Sequence, residues 1–155
     1  MKNNSRYAWS AVFFILTFLV DRVSKQWALL SCLDQQESDS FFSCYLIFNR
    51  GISWSMFHDD SSIQFVFITS IIVIITAFLC WYTKKMMSIS FWGGIGGSIA
   101  VAGSVSNIID RFLYGGVIDF ILVQYQVYSF PVFNVADICI VVGIVLLCLE
   151  GYKKL

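Results

Sequence analysis

Four apolar windows, each near the length of a membrane-crossing helix, constrain this chain more than any other feature. They run from about residues 7–30, 63–82, 91–109 and 132–149. About 20 apolar residues span the hydrocarbon core of a bilayer. The whole chain of 155 residues is 58% hydrophobic and 13% charged, whereas soluble domains carry about 25% charged residues. Soluble and disordered classes are excluded by that shortfall of polar surface. Ten Lys+Arg balance ten Asp+Glu, so no broad basic face is available for nucleic acid. The expected fold is a mainly α membrane protein. Four transmembrane helices and a small extracytoplasmic β cradle or hairpin form one domain over residues 1–155.

Lysine and arginine near span ends set orientation. Lys2 and Arg6 precede the first window, Lys84 and Lys85 follow the second, and Lys153 and Lys154 follow the fourth. Four crossings put all three clusters on one side, so both termini are expected in the cytoplasm. Segments 31–61 and 110–131 then face outward. Asp34, Glu37, Asp39, Asp59 and Asp60 lie in the first of these, with Arg50 the one base there.

Within segment 31–61, FFSCYLIF is aromatic and β-branched enough for a strand. Asn49-Arg50-Gly51 reads as a turn, and ISWSMF alternates like a half-buried strand. A small hairpin or curled sheet at the outer membrane face is expected, with Phe41, Phe42, Tyr45, Trp54 and Phe57 at the interface. Gly93, Gly97, Gly96, Ala100 and Gly103 place small residues four apart in the third window, a pattern that brings helix backbones close.

Cys80, Cys139 and Cys148 fall in spans and read as packing residues. Cys32 and Cys44 share the outer side, where spacing alone does not decide whether they pair. His58, the single histidine, sits beside Asp59 and Asp60 and reads as solvated. No cysteine or histidine pair has zinc spacing, so no metal or other cofactor is expected. Leu29-Leu30-Ser31-Cys32 looks like a lipoprotein cleavage signal. Asp21, Arg22 and Lys25 interrupt the apolar stretch that such a signal needs, so that reading is set aside.

Ionisable groups inside spans are costly and usually mark function. Asp21 and Lys25 stand four apart on one helix face, where an ion pair fixing the helix end is the preferred reading. The third window ends with Asn107, Asp110 and Arg111 at helical spacing. Gly115 and Gly116 then permit a bend that turns Asp119 back over the bundle. Pro131 suits the start of the fourth helix, which puts Asp137 roughly 9 Å along its axis. Asn134 shares a face with Asp137. The topology gathers these groups at one membrane level, beside the outer face.

Two acids in a semi-dry site cannot both ionise cheaply. One can take a proton from water while the other donates to a carbonyl, which is hydrolysis without a metal or covalent intermediate. Ser104 and Ser106 have no nearby His or Lys base, and no G-x-S-x-G is present. A proton-coupled small transporter or channel is the alternative, yet it needs a polar path through both leaflets, and the second window has no ionisable residue. An assembly subunit whose acids merely pair with Arg111 and Lys25 ranks last. Spacing alone does not choose between Asp110 and Asp119 as the partner of Asp137.

The run SNIIDRFLYGGVIDF followed by FNVAD resembles the lipoprotein signal peptidases (signal peptidase II), whose pattern is roughly GNxxDRxxxGxVxDF and then FNxAD. Asp21-x-x-x-Lys25 and Asn49-x-Gly51 match two further signals of that family, and the order agrees over essentially the whole chain. The resemblance implies a bacterial inner-membrane aspartic endopeptidase that cuts prolipoproteins before a diacylglyceryl-modified cysteine. It implies Asp119 and Asp137 as the catalytic pair and Asn107, Arg111 and Asn134 as the surrounding polar residues. Asp110 would support the pair, while Asp21, Lys25, Asn49 and Gly51 would shape the site or hold substrate. Diacylated prolipoproteins and membrane lipids are the implied partners, with a monomer as the expected state. Ser106 stands where the family usually has glycine, and Ser53-Trp54 replaces the usual Ala-Phe.

Overall fold

The computed structural model describes residues 3–32, 41–51, 62–126 and 128–153. In chain order the elements are α1 (Asn3–Ser31), β1 (Phe42–Asn49), α2 (Ser62–Ile89), α3 (Phe91–Tyr114), β2 (Val117–Tyr125), β3 (Tyr128–Ser129) and α4 (Val135–Tyr152). The four expected helices are present, with shifted ends. α2 runs seven residues past its expected end at Tyr82, so Lys84 and Lys85 lie within the helix rather than after it. Three of the four, α1, α2 and α4, are long and apolar enough to cross a membrane. α3 is not among them, its apolar residues being diluted by glycines, serines and Asn107.

That dilution serves packing. α3 is the buried helix of the bundle, lying against α1, α2 and α4. A Cβ at Gly97 would meet the Thr83 side chain of α2 at 2.3 Å, and one at Gly103 would meet the Ala136 carbonyl oxygen of α4 at 2.7 Å. From the other side, a Cβ at Gly143 of α4 would lie 2.5 Å from the Gly96 carbonyl oxygen and 2.6 Å from the Ala100 nitrogen. The expected small-residue contact is therefore real, and it brings the start of α4 against the polar end of α3.

β1, β2 and β3 form one antiparallel sheet in that order. β1 runs along β2 from Phe42 opposite Val123 to Asn49 opposite Val117, with an irregularity between Cys44 and Ile47. Of the expected hairpin or curled sheet, the sheet is present, and in it FSCYLIFN pairs with the distant strand VIDFILVQY. Residues 52–57, the expected second arm, lie outside the described residues, as does His58. The cause is local to the end of α3. Gly115 adopts a left-handed conformation, φ 67°, and ends the helix, a geometry that glycine tolerates at low cost. Gly116 then passes so near β1 that a Cβ would sit 3.1 Å from the Phe48 carbonyl carbon. The chain turns at once into β2 and carries Asp119 under the sheet.

A disulfide joins Cys32, next after α1, to Cys44 of β1, with Cα atoms 5.8 Å apart. Beneath it, Ala28, Cys32, Ile118 and Phe120 form an apolar cluster. Of the other cysteines, Cys80 and Cys148 depart from expectation, being exposed on their helices rather than packed, while Cys139 is half-buried. Phe41, Phe42 and Tyr45 are exposed on the sheet, as interfacial aromatics would be. α4 begins later than expected. Pro131 precedes its N-cap, Asn134, so Asp137 lies only about 4.5 Å along the axis from the cap at 1.5 Å per residue.

The close approach of α3 and α4 is testable. Gly143→Leu should destabilise the bundle by about 3 kcal/mol or more, because the displaced partners are backbone atoms. The readout is a thermal unfolding midpoint in detergent, and an unchanged midpoint would contradict the packing described.

Candidate active site

The polar residues gather at the end of the bundle where α1 and α3 finish and α2 and α4 begin. They form two layers. The deeper layer is an ion cluster between α1 and α3. Lys25 Nζ lies 2.8 Å from Asp21 Oδ2 and 2.7 Å from Asp110 Oδ2, and it donates to Asn107 Oδ1 at 2.6 Å. Three N–H bonds thus meet three acceptors, which is the full capacity of an ammonium group. Arg22 pairs with the other oxygen of Asp110. The Ser106 hydroxyl donates to Asp21 Oδ2 at 2.6 Å, and the Ala136 backbone N–H donates to Asp21 Oδ1 at 2.7 Å. Two acids and two bases cancel in charge, and Asp21, Lys25 and Asp110 have no exposed side-chain surface.

The upper layer consists of three asparagine amides whose orientation is fixed from behind. Asn107 must turn its oxygen to Lys25, which only donates, so its amide nitrogen donates to Asp137 Oδ1 at 2.9 Å. Asn134 is the N-cap of α4, accepting from the Asp137 N–H at 2.9 Å. Its nitrogen therefore faces Asp119 Oδ1, at 2.6 Å. The oxygen of Asn49 accepts from the Gly51 N–H at 2.9 Å, an Asx turn that sends its nitrogen to Asp119 Oδ2, also at 2.9 Å. The last oxygen, Asp137 Oδ2, accepts from the Asn134 N–H at 3.1 Å. Asn134 and Asp137 so form a capping box.

Asp119 and Asp137 are joined through Asn134 and line one cavity of about 360 Å³ together with Asn49, Asn107 and Arg111. Asp110 is absent from that lining; both its oxygens are taken by Lys25 and Arg22. Burial, and then the nearby charge of Asp137, push the Asp119 carboxyl up to about 7, against the pull of the Asn49 and Asn134 hydrogen bonds and of Lys25. Arg111 reaches over the cavity rim. It donates to the carbonyls of Arg50, at 3.2 Å, and Gly51, and its guanidinium carbon lies 5.6 Å from the centre of the Phe65 ring. Its Nε is buried without a partner among the described residues. Among the described residues, no three His, Cys, Asp or Glu side chains are grouped as metal ligands.

The acids, the asparagines, Lys25, Gly51 and Arg111 expected at the site thus belong to one connected constellation. The Asp21–Lys25 pair exists, and Asp21 also holds the start of α4 through the Ala136 N–H. Arg22, Ser106 and Phe65 were missed as participants. Arg22 left a signal, since it is one charge more than a simple Asp21–Lys25 pair needs. Ser106 bonds Asp21 and lies beside Arg22, outside the cavity lining.

Comparison with known proteins bears on this geometry. Residues 13–153 match the peptidase A8 family, signal peptidase (SPase) II. The lipoprotein signal peptidase of Clostridium novyi is 35% identical over 139 residues, covering 87% of this chain and 91% of that one. That of Pseudomonas aeruginosa is 34% identical over 144 residues, covering 90% and 85%. Two solved structures, each described as a bacterial membrane enzyme, share the fold. Their TM-scores are 0.71 and 0.72 at 23% and 24% identity, each covering 94% of this chain and, respectively, 88% and 94% of the other. None of these findings supports a transporter or channel. The chain belongs to the signal peptidase II family of membrane peptidases.

Proposed function

We propose that this protein removes signal peptides from prolipoproteins by hydrolysing the peptide bond before a diacylglyceryl-modified cysteine, with Asp119 and Asp137 as the catalytic pair. The observation that carries the reading is the grip of Asn134 on both carboxylates at the wall of one cavity, in a chain of the signal peptidase II family.

The chemistry follows from unequal protonation of the pair. Asp119 keeps its proton up to about pH 7, so it can hydrogen-bond the scissile carbonyl oxygen. Asp137, ionised and held by two N–H donors, takes a proton from water. The resulting hydroxide adds to the carbonyl carbon as Asp119 gives its proton to the oxygen. In the second step Asp137 passes its proton to the amide nitrogen, the C–N bond breaks, and Asp119 recovers a proton from the tetrahedral hydroxyl. Each acid ends as it began. Arg111 Nε, a buried donor with no partner among the described residues, can orient the substrate backbone. Asn49, Asn107 and Asn134 hold the acids; Asp21, Lys25 and Asp110 hold the asparagines and the start of α4.

The site belongs near the outer face of a bacterial inner membrane. Four crossings put Arg6, Lys84, Lys85 and Lys153 at the opposite end of the bundle, where cytoplasmic basic residues belong. The Cys32–Cys44 disulfide lies at the site's end, and disulfides persist in oxidising compartments. A shallow site suits a substrate whose acyl chains stay in the bilayer while its peptide meets water. All the residues of the pair's support come from one chain, so a monomer suffices.

Cleavage of a purified diacylated prolipoprotein tests the proposal. Asp119→Asn and Asp137→Asn should each lose at least about 100-fold in kcat, the usual scale for removing a general acid or base; full activity in either variant would remove that residue from the chemistry. The pH profile gives a second test. Because the Asp119 pKa is raised, its protonated form is present below about 7 and is lost as pH rises through that value. kcat/KM, which reports the free enzyme, should therefore fall on the alkaline side with a limb near pH 7. A profile flat to pH 9 would contradict the assignment of Asp119 as the acid.

A further inference from the structure

We propose that Ser106 is a positioning residue for Asp137, acting through Asp21 and the first turn of α4. The inference rests on the reading of Asp137 as catalytic. Ser106 has no exposed surface and does not line the cavity, so it touches neither water nor substrate there. Its hydroxyl donates to Asp21 Oδ2 at 2.6 Å and lies 3.4 Å from Arg22 Nη1. Asp21 then holds two elements at once. Its Oδ2 also meets Lys25 at 2.8 Å, and its Oδ1 accepts the Ala136 N–H at 2.7 Å.

The Ala136 N–H is one of the first N–H groups of α4, which have no acceptor within the helix. Ala136 is fully buried, so water cannot stand in for Asp21 at low cost. It is also the residue immediately before Asp137. The carboxylate of Asp21 is thereby a peg for the backbone that carries the reacting acid. An Asp side chain rotates freely about its terminal torsion unless both oxygens are held. The Ser106 hydroxyl and Lys25 hold Oδ2 from α3 and α1 respectively, which leaves Oδ1 aimed at α4. Without the hydroxyl, Oδ2 keeps one donor instead of two, and the peg loses its tie to α3. Asp137 would then be less well aligned with water held against Asp119, and rates of proton transfer are sensitive to such misplacement.

The effect should appear in turnover and not in binding. Ser106→Ala should lower kcat about three- to ten-fold, the scale of one typical net hydrogen bond, with KM for a diacylated prolipoprotein unchanged. In an Asp21→Asn background the same substitution should change kcat little, because the hydroxyl acts through Asp21. Ser106→Cys, which keeps a weaker donor, should fall between serine and alanine. Rates are expressed per folded enzyme, with the folded fraction taken from thermal unfolding of each variant in detergent. An unchanged kcat in Ser106→Ala, a loss confined to KM, or an equal kcat loss in the Asp21→Asn background would overturn the inference. The catalytic reading fails separately, if Asp137→Asn cleaves like the unsubstituted protein.

Discussion

The capping box of α4 is the contact on which the site depends. Asn134 closes the first turn with its oxygen, takes Asp137 Oδ2 with its backbone N–H, and spends its amide nitrogen on Asp119. A cap of this kind is worth about 1 kcal/mol to a helix, a modest sum. Its importance is geometric, because the bonds that start the helix also fix two carboxylates relative to one another. β2 supplies one acid and α4 the other, and Asn134 is the residue that sees both.

Fixing the acids in a poorly solvated place requires that every neighbouring charge be answered. The ion cluster below them does so without net charge: Asp21 and Asp110 against Lys25 and Arg22. Such a cluster is weak evidence for stability, since desolvation offsets most of the attraction. Its yield is orientation. Lys25 can only donate, so it forces the flip of Asn107, and Asn107 then presents N–H to Asp137. The same logic runs through Gly51 and Asn49 to Asp119. Amides that could point either way are each held by a partner with a single option.

Much of this was legible in the residues. The apolar windows located all four helices, and the small residues of α3 announced its close contact with α2 and α4. Acids, asparagines and Arg111 were expected at one level, and they meet there. Less legible was the pairing of β1 with β2. VIDFILVQY has strand composition, but a pairing as distant as Phe42 with Val123 leaves no local periodicity; only the bend at Gly115 hinted at it. The start of α4 was placed early because Pro131 was read as a helix opener. Asn134 three residues before Asp137 was the stronger cue, an N-cap pattern with an acid in the first turn. The choice of Asp119 over Asp110 turns on which acid is already saturated by cations, and that is a property of three-dimensional contacts with Lys25 and Arg22. The Cys32–Cys44 pairing likewise needed the fold, since strand pairing is what brings Cys44 back to the end of α1.

The central claim is that one water, or the tetrahedral centre it forms, sits between Asp119 and Asp137 and touches both. A structure of the protein with a diacylated lipobox peptide carrying a hydroxyethylene group at the scissile bond measures this directly. The account predicts that the hydroxyl lies within hydrogen-bond distance of a carboxylate oxygen from each residue. A hydroxyl bound to Asp110, or to one member of the pair while the other faces away, would contradict it.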